Sequence, residues 1–260
     1  ILKVSHNKYK VTELISQNAK LIEFINEIIS KKLTNKVFQE KFIKFFSEFE
    51  YENRDEFKFE SLGEYYEWIR SNYYKTLNNE TVKSFGELII ANFLFLNGIS
   101  YKYEDHYFSK YVSDNISYRP DFHLTDYNIF IEYFGVDIKG RTAKYIDSKK
   151  YSEEMGWKRN LHKKGKTRLI ETFYHENRTG KLLNNLKENL IKSNVKLKPL
   201  KNEEILQKIH KEEKNIKLID LITSFLKQFK ENNNKISLQE LKYNSRKDER
   251  SSLFLELFSS

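Results

Sequence analysis

Apolar residues recur at helical spacing from the start of the chain. Between about Val11 and Leu33 they are Leu14, Ile15, Leu21, Ile22, Ile25, Ile28 and Ile29, and Phe38, Phe42, Phe45, Phe46 and Phe49 mark a second amphipathic helix. Ser61-Leu62-Gly63-Glu64 is a capping box, since a serine hydroxyl accepts from the N–H three residues on while the glutamate reaches back. It opens a third helix through Trp68 and Ile69. The aromatic residues here read as core packing.

A polar joint from Thr76 to Lys83 leads into Ser84-Phe85-Gly86-Glu87 and a helix from Leu88 to Leu96. Asn97-Gly98 ends that helix, with Gly98 suited to the left-handed position past its C terminus. The pattern then changes period. Ile99, Tyr101 and Tyr103 alternate as a strand, and Tyr118 to Leu124 and Asn128 to Phe134 form a hairpin around Asp126-Tyr127-Asn128. A Gly/Lys-rich loop, Gly135 to Lys144, precedes a helix from about Tyr145 to Lys164, a short strand from Arg168 to Tyr174 and a helix from Lys181 to Ser193. After Pro199 the pattern is helical again, through Ile205, Leu206 and Ile209, then Leu218, Leu221, Ile222, Phe225, Leu226 and Phe229, then Leu238, Leu241 and Leu253 to Phe258. There is no internal repeat.

This order predicts an α/β fold with a mixed β-sheet core flanked by helices and with further all-helical segments at both ends. The expected division is a helical segment over 1–80, the α/β domain over 81–200 and a helical segment over 201–260. The last segment ends on an apolar helix with nothing after it to cover it, and the chain starts at Ile1 without an initiator methionine. Both features suggest a piece of a larger protein.

Composition narrows the chemistry. The formal charge is +9 and the pI about 9.2, a weak pointer to a polyanionic partner. There is no cysteine, so disulfides and thiolate metal sites are excluded and any metal must be held by oxygen or histidine. No apolar run approaches the ~20 residues of a membrane span, and no signal peptide is visible, so a cytoplasmic protein without membrane contact is expected.

The informative stretch is the hairpin. An acid inside an apolar strand is costly unless something pairs with it or binds it. Alternation puts Asp121, Arg119 and His123 on one face of the first strand, and Glu132 with Phe130 and Phe134 on one face of the second. Two carboxylates on neighbouring strands repel, and a Mg²⁺ or Mn²⁺ ion would relieve that. The plain alternative is a pair of edge-strand acids facing solvent or lysines.

Arg119-Pro120-Asp121-Phe122 followed by Ile131-Glu132-Tyr133-Phe134-Gly135 resembles the core of the PD-(D/E)xK restriction-endonuclease-like superfamily. The preceding Ser84 to Leu94 helix and Tyr101-Lys102-Tyr103-Glu104 fit the same pattern. More narrowly, the chain resembles nuclease domains inserted in UvrD-like, superfamily 1 DNA helicases, in which stretches similar to Tyr151 to His162 and Leu169 to Thr172 follow. The likeness covers about Val82 to Leu200. It implies a restriction-endonuclease-like fold, a metal-dependent nuclease acting on DNA, and helicase motor domains in the same polypeptide outside this chain. It implies Asp121 and Glu132 as ligands of Mg²⁺ or Mn²⁺, with Glu87 joining them. Glu87 also has a purely local reading, since Ser84-x-x-Glu87 is a good capping box.

One position departs from the family pattern. The lysine of E-x-K, which would orient or deprotonate the attacking water, is replaced here by Phe134. Lys158 is the expected substitute, because Tyr151, Met155, Lys158 and His162 share a helix face that follows the metal-bearing strand. Lys139 is the second choice, and a solvated Lys158 is the alternative to both. His123 and His162 are further candidates for metal or phosphate contact. From Lys139 to Arg168 eleven Lys/Arg stand against three acids, which suits a phosphate backbone and equally a solvated face. Gly165-Lys166-Thr167 is no P-loop, because Asn160 occupies the place of the first glycine and a strand follows the helix. The resulting expectation is a DNA nuclease with Glu87, Asp121, Glu132 and Lys158 at its centre. A degenerate nuclease fold that binds DNA or a helicase subdomain without cutting is the alternative, and Phe134 favours it.

Overall fold

The computed structural model describes residues 27–108, 117–211, 238–245 and 249–258, together with Glu23 and Ile222. Leu14, Ile15, Leu21, Ile22 and Ile25 of the first expected helix, and Leu218, Leu221, Phe225, Leu226 and Phe229 of the stripe around Ile222, lie outside these residues.

Where the apolar period changes from helical to alternating, four strands form: β1 (Lys102–Tyr103), β2 (Phe122–Leu124), β3 (Ile129–Phe134) and β4 (Arg168–Phe173). They lie side by side in the order β1-β2-β3-β4. The first three are antiparallel, joined at the β2–β3 hairpin by a tight turn in which Asn128 takes the left-handed conformation (φ 53°) that asparagine tolerates. β3 and β4 are parallel. A parallel neighbour needs a crossover, and this one carries a long helix, Ser148–Gly165. The fold is therefore mixed α/β, as the sequence pattern predicts. β1 and β2 are shorter than their alternating patterns suggest, and Asp121 falls just outside β2.

Two compact units divide the chain, one of Ser47–Lys201 and one of Ile1–Phe46 with Asn202–Ser260. In chain order the α-helices named here are α1 (Lys36–Lys44), α2 (Leu62–Asn72), α3 (Phe85–Leu96), α4 (Ser148–Gly165), α5 (Tyr174–Arg178), α6 (Leu182–Lys192), α7 (Asn202–Lys211), α8 (Leu238–Ser245) and α9 (Glu249–Phe258), all among the described residues. The α/β unit thus begins nearer the N terminus than the 81–200 span, because Tyr51, Phe57, Ile69 and Tyr74 pack into the sheet's core. In the other unit, Phe42 and Ile43 of α1 are buried along with Leu253, Leu255 and Leu257 of α9, and Lys41–Glu256 and Lys44–Glu249 ion pairs link the two helices. The apolar end helix is covered by the chain's own N-terminal segment.

The sheet has two dissimilar faces. Phe122, Leu124, Ile129 and Ile131 join Leu88, Ile90 and Leu94 of α3 and Leu182, Leu186 and Leu190 of α6 in the main core. Gly86 permits the close approach of α3, since a Cβ there would lie 2.1 Å from the Tyr133 ring. The opposite face carries two smaller clusters beneath α4: Tyr107, Tyr118, Phe130 and Leu161, and Phe134, Val136 and Met155.

Candidate functional site

The hairpin register brings the two expected acids together. Phe122 pairs with Ile131 and His123 with Phe130, so the antiparallel ladder continued by one residue sets Asp121 opposite Glu132 on the α4 face. The Tyr133 backbone N–H donates to Asp121 Oδ2 at 2.6 Å, which anchors the aspartate to the strand edge. Its other oxygen, Oδ1, takes no hydrogen bond among the described residues. Asp121 is half-buried, whereas Glu132 is fully buried (1 % exposed).

Lys158 reaches this pair. It lies three residues beyond Met155, which packs on Phe134, and that seating directs the lysine back over β3. Its Nζ donates to Glu132 Oε2 at 2.7 Å, and Nζ sits 5.6 Å from the centre of the Phe134 ring. Tyr118 donates its hydroxyl to the other oxygen, Oε1, at 2.7 Å. Lys139, by contrast, is exposed in the loop after β3, where its backbone N–H donates to Asp137 at 2.8 Å.

Electrostatics follow from burial. Asp121 is raised well above the ordinary aspartate range by burial, by the Glu132 carboxylate and by Glu87. Glu132 is also raised by burial, although Lys158 and Tyr118 pull it back. Burial would lower Lys158, but Glu132 and Asp121 more than offset this and its net displacement is upward. The ammonium therefore holds its proton, and Lys158 acts as a fixed positive charge and donor.

Glu87 is engaged otherwise. Ser84 Oγ accepts from the Glu87 N–H at 3.1 Å and donates to its Oε1 at 2.8 Å, while the Lys83 N–H (3.0 Å) and the Tyr103 hydroxyl (2.5 Å) both donate to Oε2. That is the local capping reading, strengthened by Tyr103. Burial raises Glu87, and these three donors oppose it. Glu87 nevertheless lies near enough to Asp121 to push it upward.

The histidines have other partners. His123 stacks on Phe130 (4.3 Å between ring centres) and pairs with Asp105 at 2.8 Å. His162 is buried between Tyr118 and Thr167. Sequence reasoning missed Tyr118, Tyr103 and Glu56. Tyr118 stands three residues before Asp121, and only its contact with Glu132 singles it out. Glu56, in the 3₁₀ turn Glu56–Lys58, is raised to about 7 by burial, then by Glu87 and Asp55.

The donor set fits a hard divalent cation in part. Two buried-side carboxylates with oxygen donors suit Mg²⁺ or Mn²⁺, which commonly takes one or two protein carboxylates plus phosphate and water. No cluster of three acid or histidine side chains with ligand geometry occurs among the described residues. At the two ends of α4, Lys149, Lys150, Lys163, Lys164 and Lys166 are exposed and make no ion pair among the described residues, whereas Arg159 forks onto Glu171 at 2.8 and 2.6 Å. Among the described residues no helix is long and apolar enough to cross a membrane.

No protein-family model matches this chain, and neither a curated protein nor a solved structure does.

Proposed function

We propose that the chain is a Mg²⁺- or Mn²⁺-dependent DNA nuclease of restriction-endonuclease-like type, the nuclease part of a helicase–nuclease protein. The observation that carries this reading is the Lys158 Nζ at 2.7 Å from Glu132, with Asp121 at the facing cross-strand position. A hairpin acid pair joined by a lysine from the next helix has the parts of an E-x-K site, with the cation supplied from another element. The order of motifs along the sequence supports the same reading.

In the proposed mechanism Asp121 and Glu132 would hold the ion, Glu132 being also held by Tyr118 and Lys158. The bound ion would supply charge neutralisation at the scissile phosphate and a more acidic water. Lys158, protonated and held by Glu132, orients the water and stabilises charge developing on the phosphate, rather than removing a proton. Glu87 tunes the charge at Asp121 from the other side of the strand. The exposed lysines of the 149–166 segment meet the phosphate backbone.

A second reading has its own observation. Phe134, in the place of the family lysine, is buried against Met155 and Val136. A degenerate fold that binds DNA or a helicase subdomain without cutting accounts for that residue equally well. Incubation with single- and double-stranded DNA in Mg²⁺, Mn²⁺ or EDTA separates the two. The nuclease reading expects metal-dependent cutting that Asp121→Ala, Glu132→Ala and Lys158→Ala each abolish. Cutting that survives those changes refutes the site, and binding without cutting under every condition favours the second reading.

A further inference from the structure

Four side chains outside the carboxylate pair form one hydrogen-bond chain that ends on Glu132. Tyr107 Oη lies 2.8 Å from Thr167 Oγ1, which lies 2.7 Å from His162 Nδ1. His162 Nε2 lies 3.0 Å from Tyr118 Oη, which lies 2.7 Å from Glu132 Oε1. His162 belongs to α4 and is only 2 % exposed.

The sense of the chain is set at its Glu132 end. An ionised carboxylate can only accept, and the ammonium on Oε2 favours the ionised state, so Tyr118 donates to Oε1. A phenol has one proton, so the Tyr118 oxygen is left to accept from His162 Nε2–H. A neutral imidazole has one N–H, so Nδ1 accepts from the Thr167 hydroxyl, whose oxygen accepts from Tyr107. Each hydroxyl and the imidazole has a partner for its proton. A charged imidazole would instead turn an N–H on the Thr167 hydroxyl. Burial and the Lys158 charge lower His162 to about 4, which agrees with a neutral ring.

We propose that His162, as the neutral Nε2–H tautomer, is a positioning residue that fixes Tyr118 on Glu132 and so aims the Glu132 carboxylate at a divalent cation. This rests on the reading of Asp121 and Glu132 as a metal site. The two-bond separation matters, because His162 itself makes no contact with Glu132 and acts only through Tyr118. Loss of such an outer partner costs roughly 10–100-fold in metal affinity.

The test is Mn²⁺ titration of the full 260-residue chain by calorimetry, for the wild type, Tyr118→Phe, His162→Phe, His162→Gln and the Tyr118→Phe/His162→Phe double variant. Each phenylalanine variant should weaken Mn²⁺ binding about 10–100-fold. The double variant should be no weaker than Tyr118→Phe alone, within about twofold, since both act on one link. His162→Gln, whose amide can donate to Tyr118 and accept from Thr167, should recover most of the affinity. Nitrogen-15 NMR at pH 7 should show Nε2 protonated and Nδ1 bare. Additive losses, an Nδ1–H tautomer or a glutamine variant as weak as phenylalanine overturns the proposal while wild-type Mn²⁺ binding stands. Absence of Mn²⁺ binding in the wild type, with the tautomer as stated, instead removes the metal reading and this proposal with it.

Discussion

On one face of the sheet, Ile129 and Ile131 meet α3 and α6 through aliphatic and aromatic atoms. On the other, Phe130 and Phe134 meet α4 with a carboxylate, an ammonium, an imidazole and a phenol set between the rings. The first face is mainly apolar, and its buried carboxylate, Glu87 of α3, is met by Lys83, Ser84 and Tyr103. The second must satisfy every polar atom that it buries, and it leaves two like charges facing each other at Asp121 and Glu132. Stability is therefore concentrated under α3, and under α4 some of it is given up to hold charges that a cation would relieve.

The sharpest way to break this contrast is at the acids. Asp121→Asn and Glu132→Gln should each lower metal-dependent cleavage on the order of 10⁴-fold, read in single-turnover assays on labelled DNA. Asp121→Asn should at the same time raise the unfolding free energy of the metal-free protein by about 1 kcal/mol at pH 8, because it removes a half-buried charge that repels Glu132 and keeps an acceptor for the Tyr133 N–H. A loss of stability there would mean that the acids are simple structural partners.

Ile131→Ala tests the opposite face. Ile131 is fully buried, and its truncation should cost roughly 2–5 kcal/mol in urea unfolding. Cleavage per folded molecule should be unchanged, since Ile131 points away from Asp121 and Glu132. A specific loss of cleavage in fully folded protein would show that the two faces are not separable.

Glu56 offers a smaller effect with a defined sign. Its pKa is raised from 4.5 to about 7 in the folded protein. Between those values the folded state binds more protons than the unfolded one, so the Glu56 contribution to stability falls as pH rises through the window. Glu56→Gln should therefore stabilise the protein at pH 8 by about 1–2 kcal/mol and leave it nearly unchanged at pH 4. Equal effects at both pH values would place the carboxyl in an ordinary solvated setting.

The exposed lysines give the smallest change. Replacing Lys149, Lys150, Lys163 and Lys164 by glutamine should flatten the salt dependence of DNA binding, by about one in log–log slope for each lysine that meets a phosphate. Cleavage at saturating DNA should remain. An unchanged slope would return these residues to a solvated face.

The legibility of the fold differs along the chain in the same way. The capping serines Ser61 and Ser84 mark their helices because their oxygens accept from backbone N–H groups three residues on, a purely local event. The hairpin acids were partly legible, since alternation gives each its face within its own strand, while the register sets the two opposite each other. Lys158 was legible only as a lysine sharing a helix face with Met155 and His162, and the structure sets its Nζ 2.7 Å from Glu132. Glu87 could be read two ways, and its hydrogen bonds are those of a cap with an added tyrosine. Tyr118 and Glu56 carried no signal in their neighbours, because what they touch is far away along the chain.

The sequence by itself determined the main elements, the α/β order and the face that Asp121 and Glu132 each take in their own strands, because helix caps, apolar period and strand alternation act within a few residues. Only the tertiary structure decided which cation meets Glu132, which phenol caps it, and that the segment from Ser47 to Thr76 joins the sheet's core. Those outcomes depend on how α4 and the 47–76 segment pack on the sheet, where close packing and the need to pair every buried charge select one arrangement.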